Sequence, residues 1–376
     1  MPGEIIAEIG KGVAAVDRDI WDGLNNGNPF TSHDFLSALE QSGSVGEGTG
    51  WQAVPISVRD DTGALSGAMP AYLKMHSQGE YIFDHHWADA YERAGGCYYP
   101  KLQIASPFSP VPGPRLLLRD PSQAAPLLAA AEEVVAQNGL SSAHATFVEE
   151  GQLDLFRAAG WLIRTGSQFH WQNRGYGCFD DFLSALASRK RKAVRKERRG
   201  AQDAVRIERL SGDQIRREHW DAFWLFYQDT GMRKWGQPYL TRAFFDLIGQ
   251  MMADKLLLIL AYRDDRPVAG ALNMIGPDCL YGRYWGCSED IEFLHFELCY
   301  YQAIEFAIEQ GLSRVEAGAQ GEHKLARGYE PVPTYSAHYI PNEGFRSAIA
   351  DFLRREEQAM VREMAFLGEM MPFKRG

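Results

Sequence analysis

One order of elements occurs twice along this chain, and that repetition constrains the fold more than any other feature. In the first segment Asn28-Pro29-Phe30 leads into a helical run from Ser32 to Gln41, with the Ser32 side chain placed to cap it. The stretch SGSVGEGTG ends that run, because glycine loses more freedom in a helix than any other residue. Strand-like runs follow at Trp51–Arg59 and Leu65–Lys74, joined by the turn Asp60-Asp61-Thr62-Gly63. A long irregular stretch, Asp84–Pro114, is too rich in Tyr, Trp and Pro for a passive linker. The pattern then predicts a helix (Ser122–Asn138), a strand (Ala143–Glu149), a short helix (Gln152–Ala159) and a strand (Trp161–Trp171).

The second segment repeats the plan. Helices are predicted from Phe179 to about Arg199, at Arg217–Asp229 and at Leu240–Met252. Strand-like runs follow at Lys255–Arg263, Val268–Ile275 and Leu280–Gly286. The helix Phe296–Gln310 ends at Gly311, a glycine suited to the left-handed position after a helix. A short strand (Arg314–Ala317), a short helix (Glu322–Arg327), a strand (Tyr335–Ile340) and a terminal helix (Glu343–Gly368) complete it. The expected class is α/β, of the α+β kind with a mixed sheet, in two lobes at 1–171 and 172–342 and a C-terminal helix at 343–376. Antiparallel strands followed by one crossover helix suit a sheet that splays where the strand order changes, and such a splay is a natural substrate crevice.

Composition excludes several alternatives. The formal charge of −10 argues against coating nucleic acid by bulk charge, though not against a local basic site. No run approaches the 18 or so apolar residues of a membrane-spanning helix. Met1–Ile20 carries Glu4, Glu8, Lys11, Asp17, Arg18 and Asp19 and no apolar export core, so the chain is read as cytoplasmic. The five cysteines (Cys97, Cys178, Cys279, Cys287, Cys299) include no C-x-x-C pair and read as free thiols.

The runs FDHHWADAYERAGGCYYPKLQIASPFSPVPGPRLL (Phe83–Leu117), RKWGQPYLTRAFF (Arg233–Phe245), LYGRYWG (Leu280–Gly286) and FLHFELCYYQAIEFAIEQGLSRVEAGAQGEHKLARGY (Phe293–Tyr329) resemble the FemAB-like family of N-acyltransferases. That family carries a peptidoglycan biosynthesis or recognition label. The element order resembles the GNAT acyltransferase fold, present here as two tandem lobes. The resemblance implies acyl or aminoacyl transfer from aminoacyl-tRNA or an acyl thioester such as acyl-CoA to a primary amine, with no tightly bound cofactor. The amine would belong to a small or lipid-linked molecule such as a cell-wall precursor. Fatty-acyl transfer to a lipid amine, such as a sphingoid base, and a non-catalytic module that binds muropeptide or RNA are the other readings.

Several residues carry that chemistry. A coenzyme A pyrophosphate is usually cradled by a glycine-rich loop opening a helix. Here Cys287–Phe293 has no glycine and three carboxylates, and Leu118–Gln123 in the first half also lacks such a loop. Eight of the eleven residues Arg189–Arg199 are basic. On a helix Arg191, Arg195 and Arg198 form a stripe, with Lys192 and Arg199 beside it, suited to phosphates of tRNA, a nucleotide or peripheral contact with anionic lipid of the inner membrane. N-acyl transfer needs a neutral amine, a stabilised oxyanion and a proton for the leaving group. In AGAQGEHKLARGY the candidate bases are Glu316 just before it, Glu322 and His323; Lys324 and Arg327 suit an oxyanion or phosphate, and Tyr329 suits proton donation. Asp89, Tyr91, Tyr99 and Lys101 are the reactive members of a predicted pocket wall, where the apolar Tyr81–Phe108 stretch would suit a greasy chain. His85 and His86, adjacent on a strand, would point apart, and no spaced metal-ligand set follows them. Lys234 and Trp235 pair a cation with an aromatic ring. Strand alternation predicts Arg283 and Trp285 on one face, near His295.

Overall fold

A computed structural model describes residues 6–235, 238–318 and 321–374, and among these the side chains of 232–235 and 322 are not described. The chain divides into two compact units, Met1–Gly166 with Pro333–Arg362, and Ser167–Val332 with Glu363–Gly376. The first expected edge, at 171, lies close to the observed division at 166, whereas the segment 333–342 expected in the second lobe and the helix expected to stand apart from 343 are assigned to the first unit up to Arg362, because the strand Tyr329–Tyr339 pairs along Ala143–Val148. The strands are β1 (Ala7–Ile9), β2 (Trp51–Ala53), β3 (Ile56–Arg59), β4 (Leu65–Met69), β5 (Ala71–Lys74), β6 (Lys101–Ile104), β7 (Leu117–Leu118), β8 (Ala143–Val148), β9 (Leu162–Gln172), β10 (Arg206–Ser211), β11 (Leu256–Arg263), β12 (Arg266–Ile275), β13 (Cys279–Cys287), β14 (Arg314–Glu316) and β15 (Tyr329–Tyr339).

The first unit holds a small antiparallel sheet, β1-β3-β4-β7, and a mixed run β15-β8-β6-β5-β2 in which only β6 and β8 are parallel. Strand β8 shows how one sequence serves two faces. Ala143 and Ala145 join Ala71, Leu102, Ile104 and Ala337 in an apolar core with the helix Ala124–Gln137. That helix contributes Ala124, Leu127, Leu128, Ala131, Val134 and Val135, spaced at 3 and 4 residues so that they share one stripe. The alternate positions carry Lys74, Lys101, Gln103, His144, Thr146, Ser336 and His338, and these are also buried. The stretch Asp84–Pro114, expected to be irregular, contains the helix His85–Arg93 and strand β6. His85 and His86 therefore open a helix rather than lie on a strand.

In the second unit the order is β10-β11-β12-β13-β14-β9, antiparallel except for the parallel pair β13 and β14. Strand β10 is additional to the expected elements, and the single helix expected from Phe179 is two, Phe179–Ala185 and Ser188–Ala204. One sheet face buries Leu257, Ile259, Ala261, Ala271, Leu280 and Val315 against Leu298, Tyr301, Ile304 and Ala307 of a helical run from Leu294 to Glu309. A π-helical turn, Glu297–Tyr301, interrupts that run. Such turns widen a helix by one residue and often mark functional sites. The helix Arg217–Trp235 lies against β13 so closely that a side chain at Gly286 would sit 2.1 Å from the Phe226 carbonyl.

Candidate active site

The candidate site lies where a short parallel strand ends. Strands β13 and β14 pair only at Cys279/Arg314, Leu280/Val315 and Tyr281/Glu316, after which β14 stops and β13 continues to Cys287. Strand β13 also carries a bulge against β12. Leu272 of β12 pairs with Tyr284 and Asn273 with Gly282, which leaves Arg283 as the extra residue. The simple alternation expected for Arg283, Tyr284 and Trp285 is therefore broken at Arg283.

Glu316 ends the paired part of β14. Its buried carboxylate accepts from Arg314 Nε at 3.1 Å, and its Oε2 lies 3.9 Å from His170 Nε2 without a hydrogen-bond donor among the described residues. Burial holds the His170 imidazole below its usual value, Glu316 opposes that shift, and the charge of Lys324 adds to it. Lys324 is buried and donates to the Gly318 carbonyl at 2.8 Å. Burial, with the nearby Arg283 charge, pulls its ammonium down to about 8.

A group of rings packs together in the same unit. His323 is exposed, and its Nε2 lies 2.8 Å from the hydroxyl of buried Tyr300. Half-buried Trp285 packs 5.2 Å from His295, which lies 5.4 Å from Tyr300. Arg327 stacks its guanidinium 3.4 Å over Phe296, donates to the His323 carbonyl at 2.8 Å and pairs with Glu197 at 2.9 Å. The second unit thus holds two candidate groups, Trp285, His295, His323 and Arg327 around Tyr300, and Glu316, Lys324 and Arg283 around His170.

Other expected members go elsewhere. Tyr329 is wholly buried against Tyr300, ring centroids 5.4 Å apart, with no partner for its hydroxyl among the described residues and its phenol pushed up by burial. A proton donor needs access to the leaving group, so the expected role for Tyr329 is corrected to core packing. The side chains of Glu322, Lys234 and Trp235 lie outside the described residues.

Asp89, Tyr91, Tyr99 and Lys101 belong to the first unit. Asp89 is exposed on its helix, Tyr91 packs 4.7 Å from Phe345, and the Tyr99 hydroxyl bonds Ser77 at 2.8 Å. Lys101 is fully buried, and its ammonium is committed to Ser77 at 2.9 Å, Glu80 at 2.8 Å and Asp84 at 2.5 Å. With all three donors engaged, Lys101 is a structural cation; the pocket-wall role expected for it does not fit.

The basic helix Ser188–Ala204 also departs from the expected stripe. Its buried positions Val194 and Ala201 turn Arg191 and Arg198 half inward. Arg198 bonds Glu297 at 3.2 Å and Glu305 at 2.9 Å and stacks 4.2 Å over Phe179. The reason is Glu297, a buried carboxylate that also accepts from Gln202 and Gln302 and requires a counter-charge. Arg195, exposed, pairs with Asp180. The outward row is Arg189, Lys192, Lys196 and Arg199, all exposed. In the loop before Leu294, Glu289 is held by Arg263 and Arg266, while Asp290 and Glu292 are exposed.

His170 is a neighbour of the candidate residues that the sequence did not single out, while Tyr300, which reads as core from its helix, and Glu297, next to His295, lie beside them as well. For Tyr300 and Glu297 the signal is a run of bulky polar residues inside a helix that reads as core; for His170 it is the polar alternation Gln168, His170, Gln172 on a strand.

Two mixed α/β units, each with antiparallel strands and a crossover helix, make up the fold. The structure of FemX matches it with a TM-score of 0.57 at 15% identity, covering 93% of this chain and 100% of that one. The L-PGS of Bacillus licheniformis matches with a TM-score of 0.56 at 11% identity, covering 96% and 99%. No curated protein matches the sequence. The profile of the FemAB-like family, described as peptidoglycan biosynthesis/recognition, matches residues 12–375, and the chain belongs to that family.

Proposed function

We propose that the chain is an N-acyltransferase that moves an acyl or aminoacyl group from an activated donor onto a primary amine in the second unit. The observation that carries this reading is a buried lysine shortly after the end of β14, with one acceptor among the described residues for its three N–H donors. Lys324 gives one hydrogen bond to Gly318, and no other acceptor for it is found among the described residues. An ammonium buried beside a reacting carbonyl favours the tetrahedral oxyanion more than the neutral ester or thioester before it. With a pKa of about 8 it is largely charged at neutral pH. We assign receipt of the amine proton to Glu316, whose Oε2 is buried and without a donor. The nitrogen bonds to the carbonyl carbon, the bond to the leaving oxygen or sulfur breaks, and the departing group takes a proton.

Aminoacyl-tRNA is the favoured donor. The glycine-free loop before Leu294 presents Asp290 and Glu292 where a coenzyme pyrophosphate would need bare amides. The outward row Arg189, Lys192, Lys196 and Arg199 supplies positive charge suited to a phosphodiester chain. The acceptor class is the amine of a cell-wall precursor, in keeping with the family description, and the setting is cytoplasmic. Among the described residues no helix is long and apolar enough to cross a membrane.

The test is transfer by purified protein from charged tRNA or acyl-CoA to a panel of muropeptide and lipid amines, read by mass spectrometry. Mass gain on a muropeptide amine with charged tRNA, abolished in Lys324→Met, is expected. Gain on a lipid amine instead would reassign the acceptor. No gain with any donor, while muropeptide or RNA still binds, would leave a binding module.

A further inference from the structure

We propose that Tyr300 is a positioning residue that fixes the tautomer of His323, so that His323 meets the substrate as a hydrogen-bond donor and not as a base. This rests on the transferase reading for its chemistry, but its geometry stands alone.

The hydroxyl of Tyr300 is buried beside Tyr329, and its hydrogen-bond partner among the described residues is His323 Nε2, at 2.8 Å. A buried phenol must place its hydrogen on an acceptor or lose that interaction outright. If Nε2 carried the imidazole hydrogen, it would donate to the phenol oxygen and leave the phenol hydrogen without an acceptor. The arrangement that satisfies both groups has Tyr300 donating to a bare Nε2. A neutral imidazole holds one hydrogen, so that hydrogen sits on Nδ1.

The ring is also held in place. The His323 carbonyl accepts from Arg327, and the imidazole packs over Gly321, where an added side-chain carbon would come within 2.5 Å of Cε1. Partial burial, with the charges of Arg327 and Lys324, disfavours the imidazolium and keeps the ring neutral. Nδ1 has no partner among the described residues, and the residue is exposed. A neutral, oriented N–H beside Lys324 suits the developing oxyanion. It cannot accept the amine proton, because its basic nitrogen already holds the Tyr300 hydrogen. His323, which its sequence position offers as a base, thereby becomes a second candidate donor to the oxyanion, and the base role stays with Glu316.

The direct test is nitrogen-15 NMR of the full chain, with His323 assigned through the His323→Gln variant. The Nδ1–H tautomer is expected in the native protein, shifting toward the usual Nε2–H form in Tyr300→Phe. A native Nε2–H tautomer overturns the proposal. The kinetic arm uses donor-bearing and donor-free replacements. His323→Ala is expected to lower kcat by about 100-fold and His323→Gln, which keeps an N–H donor, by about 10-fold, with KM little changed. Equal losses in Ala and Gln also overturn it. If nothing is transferred by the native chain, the transferase reading fails, and the donor role fails with it. The tautomer measurement tells the two failures apart.

Discussion

Each unit buries a lysine in a polar cluster, and the two are handled in opposite ways. Lys101 in the first unit meets Ser77, Glu80 and Asp84. Burial alone would push its ammonium down, but the two carboxylates outweigh it and raise it above the ordinary value. Lys324 in the second unit meets one backbone carbonyl and the field of Arg283, and burial pulls it to about 8. The comparison teaches that burial by itself does not make a lysine reactive. The number of acceptors around the ammonium decides whether it locks a fold or remains available to a substrate.

The largest expected effect comes from breaking the lock. Lys101→Met leaves Glu80 and Asp84 buried against too little positive charge, because Lys74 lies 3.9 Å from Glu80 and is itself pulled down to about 7 by burial. A loss of ~3–5 kcal/mol is expected in urea unfolding. Lys324→Met should reverse the pattern. Its stability should stay within about 1 kcal/mol, since no buried partner is orphaned, while transfer falls by ~10²–10³. If both variants lose stability alike, the contrast between the lysines is wrong.

Titration sharpens the same contrast. In the first unit His144 Nδ1 lies 2.7 Å from His338 Nδ1, with Tyr98 and Ser142 at the other His144 nitrogen and Ser336 at that of His338. Burial, then the Lys101 charge, pulls His144 to about 3; burial, then His144, pulls His338 well below its usual value. Both histidines are neutral in the fold. Above about pH 6.5 neither state binds the protons, so these groups leave stability unchanged there. Below it the unfolded chain takes up protons that the fold refuses, and stability falls by up to about 2.7 kcal/mol per pH unit toward pH 3. Urea unfolding between pH 7 and pH 4 measures this slope, and a double His144→Asn, His338→Asn variant should flatten it.

The smallest effect belongs to the outward row of the basic helix. Lys192→Ala, Lys196→Ala and Arg199→Ala should each change stability by less than about 0.5 kcal/mol. Combined, they should weaken RNA binding and reduce its salt slope by about 0.7–0.9 for each phosphate that is no longer neutralised. An Arg198→Ala variant should do the opposite, lowering the melting temperature through Glu297 with little change in that slope. Equal salt slopes for the two variants would return Arg198 to the phosphate-binding set.

Much of the fold could be read locally. The helix Ala124–Gln137 follows from its apolar stripe, and Gly139, at a backbone φ of +59°, stops it. The short helix Glu322–Arg327 lies where the spacing placed it. The misreadings also have local causes. Leu186 and Ala187 break the helix expected from Phe179, and neither is a glycine or proline to signal it. Helix His85–Arg93 is hidden by its own aromatic residues. Glu316, His323 and Lys324 are candidates by residue type and place after a strand, and Tyr300 looks like core and in part is core.

What the residues determined by themselves is the identity of most helices and strands, because helix and strand periodicity and glycine stops act within a few neighbours. Only the tertiary structure decided what each charged or titratable group became. Arg198 faces Glu297, Lys101 faces Glu80, and His323 faces Tyr300, pairs separated by 99, 21 and 23 residues. The charge state and availability of a side chain depend on the dielectric and the partners that folding brings around it. Those neighbours are absent from any local stretch of sequence.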